Sequence, residues 1–258
     1  MNQLKREIDK NYHLFTSKWV SDFESTRNFL YENHKKYFID SYCIIASIQA
    51  WRTELLENII LGGPLSFYFE AQNDAVMSHV LAGQGCWRPS LQSLRSCFEN
   101  VLQCLYYMDH HVELCLWEQY KHRLSVKELL VYINSHPCLN ENVKELAQSS
   151  LSILSNEYKQ LCLAVHGSSR SFRMTADPNQ TVLCNTDIAN IGGWFTRLKN
   201  VIIGINLLLI LFFNEHLTGT RLPNLRKVIS FTIPDNKYQD VRSLCKVRLY
   251  KKPQTVTT

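Results

Sequence analysis

Apolar residues recur every three or four positions along most of this chain, the period of amphipathic helices. Leu4, Ile8, Tyr12, Phe15, Trp19, Phe23 and Leu30 hold that spacing from residue 2 to about 33. A second run, from about Tyr37 through Cys43, Ile44, Ile48, Trp51, Leu55 and Ile59, stops at the breaker Gly62–Gly63–Pro64. A third covers roughly 65–82 and ends near Gly83–Gln84–Gly85. Pro89 and Ser90 suit the first turn of a fourth, and a fifth covers about 108–123. Ser125 and Glu128 have capping-box spacing and open a short sixth, which Pro137 breaks. Residues from about 140 to 166 form a seventh. A polar loop over 167–184 follows, and Asn185 or Thr186 is placed to cap a last, very apolar helix to about 217.

After Pro223 the period changes. Val228–Ile229–Ser230–Phe231–Thr232–Ile233 reads as a strand and Pro234–Asp235–Asn236 as a turn. Cys245, Val247 and Leu249 then alternate with Lys246, Arg248 and Tyr250, the pattern of a second strand with one basic face. The expected fold is mainly α. It has a bundle of about seven or eight helices over residues 1–217, then a small β-hairpin and basic tail over 218–258.

The 258 residues, 45% hydrophobic and 20% charged, suffice for a large core without staples. Nine cysteines lie scattered with no CxxC pair and no signal peptide before them, which reads as reduced thiols of a cytosolic protein. A net charge of +5 permits weak attraction to RNA or other nucleic acid without demanding it. The longest apolar stretch, Val201 to Phe213, is too short for a comfortable membrane span and reads as a central buried helix.

Against this background three ionisable residues stand out. Arg95 and Glu99 lie one turn apart among Leu91, Leu94, Phe98, Val101 and Leu102, and His166 ends the apolar run Leu161–Cys162–Leu163–Ala164–Val165. Charge among core residues is costly unless paired or used. The Arg95–Glu99 pair fits a surface pair, a buried brace or a site, and His166 fits a helix cap or a proton carrier. The loop Ser168–Ser169–Arg170–Ser171–Phe172–Arg173 offers hydroxyls and two guanidiniums to a phosphate, or is simply solvated. Arg242, Lys246, Arg248, Lys251 and Lys252 form a basic C-terminal set open to the same two readings. His111, Cys115, Glu118 and His122 share one helical stripe. A single straight helix cannot wrap a tetrahedral ion with all four, so no metal and no cofactor is expected.

The segment Gly85–Cys86–Trp87–Arg88–Pro89–Ser90–Leu91–Gln92–Ser93–Leu94–Arg95–Ser96–Cys97–Phe98–Glu99, followed later by Tyr158–Lys159–Gln160–Leu161–Cys162–Leu163–Ala164–Val165–His166–Gly167, resembles a group of bacterial helical proteins similar to the HEPN superfamily. The resemblance covers about residues 65–170. It implies a compact helical bundle, frequent dimers, and membership of toxin–antitoxin or anti-phage systems. Catalytic HEPN ribonucleases resemble one another in an arginine followed, after four to six intervening residues, by the histidine; here only Lys159, at the far edge of that window, is basic. A metal-independent ribonuclease needs a base for the 2′-hydroxyl and a cation for the developing phosphorane charge. The expectation is an accessory or effector protein acting through a protein partner or as a homodimer. The alternative is a ribonuclease with His166 as base and Arg95 or Arg170 as cation.

Overall fold

The computed structural model describes residues 2–166 and 183–250, and these form eleven helices. Helix α1 (Asn2–Asn33) is followed by α2, which runs Lys35–Trp51, passes through one π turn at Arg52–Leu56 and closes with Glu57–Ile59. Then come α3 (Gly63–Gly83), α4 (Trp87–Asp109), α5 (His111–Glu118), α6 (Val126–Ser135) and α7 (Lys144–His166). The last four are α8 (Ile188–Phe212), α9 (Asn214–Leu217), α10 (Pro223–Thr232) and α11 (Tyr238–Cys245).

Local chemistry sets most boundaries. The capping box forms as its spacing predicts: Ser125 N donates to Glu128 Oε2 at 2.7 Å, and Glu128 N donates to Ser125 Oγ at 3.3 Å. The cap of α8 is Asp187, whose Oδ1 accepts from Ala189 N at 2.9 Å, not Asn185 or Thr186. Asn185 instead donates its N–H to Gly85 O at 3.2 Å. Gly85 has φ of +72°, and only a residue without Cβ lets the α3–α4 turn meet the Asn185 backbone there.

The core is built around α8. Every residue from Val201 to Leu211 is buried, so this helix is apolar all round because protein surrounds it. It packs on α2, α4, α7 and α10. By length and composition α8 is able to cross a membrane, but 67% of its most apolar window is buried inside the protein, as in a core helix. Gly204 brings α7 close: its carbonyl accepts Ser150 Oγ at 2.9 Å, and Leu154 lies where a Cβ would stand.

Two expectations fail at the C-terminus. The described residues contain no strand, and the helices outnumber the seven or eight expected. The stretch 228–233 is not a strand but part of α10 and the residue after it. Pro223 opens α10, and Leu225, Ile229 and Ile233 recur every fourth residue to face α2 and α8. Tertiary packing of this face overrides the strand preference of its β-branched residues. The alternation in 245–249 is real, since Cys245, Val247 and Leu249 are buried between exposed Lys246, Arg248 and Tyr250. What is missing is a partner strand. Side chains of α10 replace it: Arg226 Nη1 donates to Arg248 O at 3.2 Å, and Tyr250 N donates to Ser230 Oγ at 2.9 Å. Through Leu225, Ile229, Val241 and Val247 this C-terminal part joins the same hydrophobic core as α2 and α8.

Candidate functional site

Arg95 sits on α4 with its guanidinium turned toward α7. Nε donates to Glu99 Oε1 at 2.7 Å, and Nη2 donates to Tyr158 Oη at 3.3 Å. The guanidinium also lies 5.2 Å from the centre of the Tyr158 ring. The two charged side chains retain 22% and 28% exposure, so the pair is neither a free surface pair nor a buried one. Burial lowers the Arg95 pKa, but the Glu99 charge and hydrogen bond, then Tyr158 and Cys162, outweigh it and leave it raised. Arg95 is thus a permanent cation that braces α4 against α7.

His166 is the last residue of α7 and is exposed. It stands eight residues beyond Tyr158, about 12 Å along the helix axis at 1.5 Å per residue. The Arg95 guanidinium is held at Tyr158, about two helical turns before that end. The structure joins Arg95 to Glu99 and does not join either to His166. The arginine at this helix end is Arg88, whose Nη2 donates to Val165 O at 2.7 Å. Arg88 opens α4, where a cation opposes the helix dipole, and its side chain crosses instead to the electronegative C-terminus of α7. Sequence reading passed over it because a lone arginine before a proline looks like a solvated first turn. Lys159 is exposed and, with Tyr158, lines a groove of about 380 Å³ between α6 and α7.

Arg170 and Arg173 lie outside the described residues. Lys246 is exposed and donates Nζ to Ser243 O at 3.1 Å. Arg248 is exposed at the mouth of a C-terminal cleft. Among the described residues no group of three or more His, Cys, Asp or Glu is placed to hold a metal ion, the His111–Cys115–Glu118–His122 stripe included.

One cluster had no signal in helix periodicity, because its members come from three elements. His136 Nε2 is 3.0 Å from Asp109 Oδ2, and His136 Nδ1 is 2.8 Å from Cys138 Sγ. Tyr132 donates its hydroxyl to the same Asp109 oxygen. The order thiol, imidazole, carboxylate is that of a nucleophilic site. Two facts argue for a structural knot. Cys138 N donates to His136 Nδ1 at 3.2 Å, so the ring nitrogen already closes the turn around Pro137. Burial, then the charge of Asp109, pushes the Cys138 thiol up to about 12. Only about one molecule in 10⁵ would then carry the reactive thiolate at neutral pH.

Comparisons with known families, curated proteins and solved structures match this chain to none.

Proposed function

We propose that this chain is an effector or accessory protein of the kind its HEPN-like motifs imply, one that works by docking and pairs first with a second copy of itself through α1. The observation that carries this reading is the apolar stripe of α1. Leu4, Ile8, Tyr12 and Phe15 are 63%, 57%, 62% and 53% exposed, whereas Thr26 and Leu30 further along the same stripe are buried in the body. The stripe repeats with an eleven-residue period, positions 4, 15 and 26 and positions 8, 19 and 30, a spacing that turns only slowly around the helix. A soluble helix rarely leaves such a face in water without a partner.

Charge and area both favour a second copy, laid antiparallel. Lys5, Arg6 and Lys10 outnumber Glu7 and Asp9 in the first half of α1, and Asp22, Glu24 and Glu32 outnumber Lys18 and Arg27 in the second. An antiparallel register over Leu4–Phe23 sets Lys5 of one copy opposite Asp22 of the other and Asp9 opposite Lys18. The four exposed side chains Leu4, Ile8, Tyr12 and Phe15, at on the order of 100 Å² each, with smaller shares from half-buried Trp19 and Phe23, bury ~1,000 Å² across the pair, the size of a weak specific interface. Light scattering on the full chain and on Ile8→Glu/Phe15→Glu tests this. The expected result is a wild-type dimer and a variant monomer with unchanged helicity. A monomeric wild type, or a variant that stays dimeric, overturns it.

The ribonuclease reading has one observation in its favour. Arg88 and His166 share one helix end, so α4 brings across an arginine that α7 itself lacks. In that reading His166 takes the 2′-hydroxyl proton and Arg88 faces the phosphorane charge. Incubation with mixed RNA decides it: cleavage by wild type that is lost in both His166→Ala and Arg88→Ala supports the enzyme, and intact RNA with wild type eliminates it.

A further inference from the structure

We propose that the cleft between α10, α11 and residues 246–250 binds a small phosphate-bearing anion, with Arg226, Arg242 and Arg248 as its cationic wall. The cleft holds about 600 Å³, within the size range of small-molecule sites. Thr220, Gln239 and the two tyrosines Tyr238 and Tyr250 complete its polar lining, and no carboxylate is among the lining residues.

Arg226 makes this more than a basic patch. Its residue surface is only 4% exposed. Nη1 donates to Arg248 O, Nη2 reaches Tyr250 Oη at 3.5 Å, and Nε is buried with no partner. A buried guanidinium ordinarily faces a carboxylate, since an unpaired charge is costly to desolvate. Here it faces a carbonyl, a phenol and a cleft that two further guanidiniums also line. Its bonds to residues 248 and 250 account for a brace on the closing segment. They do not account for three like charges gathered round one cavity. An anion does, and the planar fork of arginine fits phosphate oxygens two at a time. Asp240, on the same helix as Arg242, is engaged by Lys237 at 3.7 Å. Tyr250 lies with its ring centre 5.4 Å from the Arg226 guanidinium and 5.8 Å from Lys227 Nζ, which fixes the aromatic wall. A concave pocket of this size suits a compact ligand better than a nucleic-acid strand, which needs a groove that tracks its backbone.

Isothermal titration of the full chain with inorganic pyrophosphate at constant ionic strength tests the proposal. Arg242→Gln/Arg248→Gln is the informative variant, because both residues are exposed while Arg226 also holds the closing segment. Wild type is expected to bind with Kd at or below roughly 100 µM, and the double variant at least about tenfold more weakly, with an unchanged melting temperature in the absence of pyrophosphate. Should the double variant melt early, Arg242→Gln alone gives the same comparison. No binding by wild type at millimolar pyrophosphate, or equal binding by the folded variant, overturns the proposal. So does a single-stranded RNA that binds through these arginines where pyrophosphate does not.

Discussion

Asn206 is the polar centre of the core, and its loss has a calculable cost. It is fully buried on α8, accepts Trp51 Nε1–H at 2.7 Å, and donates Nδ2 to Ser47 Oγ and Ile202 O, both at 2.9 Å. Asn206→Leu keeps the branched four-atom skeleton and removes all three bonds. The Trp51 N–H, in a residue with no solvent exposure, then has no acceptor, which costs about 1–3 kcal/mol. Ser47 still donates to Ile44 O at 2.8 Å, so its share is smaller. Extra apolar burial by leucine returns about 1 kcal/mol, leaving a net loss of about 2 kcal/mol. In urea, at a slope of about 3 kcal/mol per molar, the midpoint falls by about 0.7 M. Trp51→Phe removes the donor, so in the double variant no indole N–H is stranded. The combined loss should then be less than the sum of the single losses by at least about 1 kcal/mol. Strict additivity, or an Asn206→Leu midpoint within experimental error of wild type, would refute the reasoning.

Two further predictions concern α7. Burial holds the Glu157 carboxyl above its ordinary 4.5, against the Asn200 hydrogen bond and the Arg197 charge that lower it. The folded state therefore keeps a proton that the unfolded state has released. The stability Glu157 contributes is fullest below pH 4.5 and declines as pH rises through the raised folded value. Melting temperatures of wild type minus Glu157→Gln should accordingly fall between about pH 4 and pH 7, and a difference that stays level removes the cause. Arg88→Met deletes the charged bond to Val165 O and should cost about 1–2 kcal/mol, with faster amide exchange confined to the last turn of α7. Unchanged exchange there means that Arg88 does not hold that helix end.

The helical class, the capping box at Ser125 and Glu128, the buried run from Val201 to Leu211 and the inward alternation of Cys245, Val247 and Leu249 were all legible in the chain. Each is a local property. Side chains three or four apart share a helix face, and side chains two apart share a side of an extended segment, whatever lies opposite. Arg95 and Glu99 were legible as a pair for the same reason, being one turn apart.

What lies opposite was decided by the tertiary structure. Residues 228–233 carry strand-forming side chains, yet the face presented to α2 and α8 has the four-residue step of Leu225, Ile229 and Ile233, and burying that face outweighs propensity. Residues 246–250 form no strand, Lys246 being left-handed at the end of α11, and their hydrogen bonds go to Arg226 and Ser230, a choice no alternation encodes. That Tyr158 receives Arg95, that Arg88 rather than a neighbour on α7 reaches the end of that helix, and that Arg226 meets Arg242 and Arg248 around one cleft all depend on contacts between residues far apart in the chain. Hydrophobic period determines which face of each element turns inward. Only the packing of those faces determines which charges then meet.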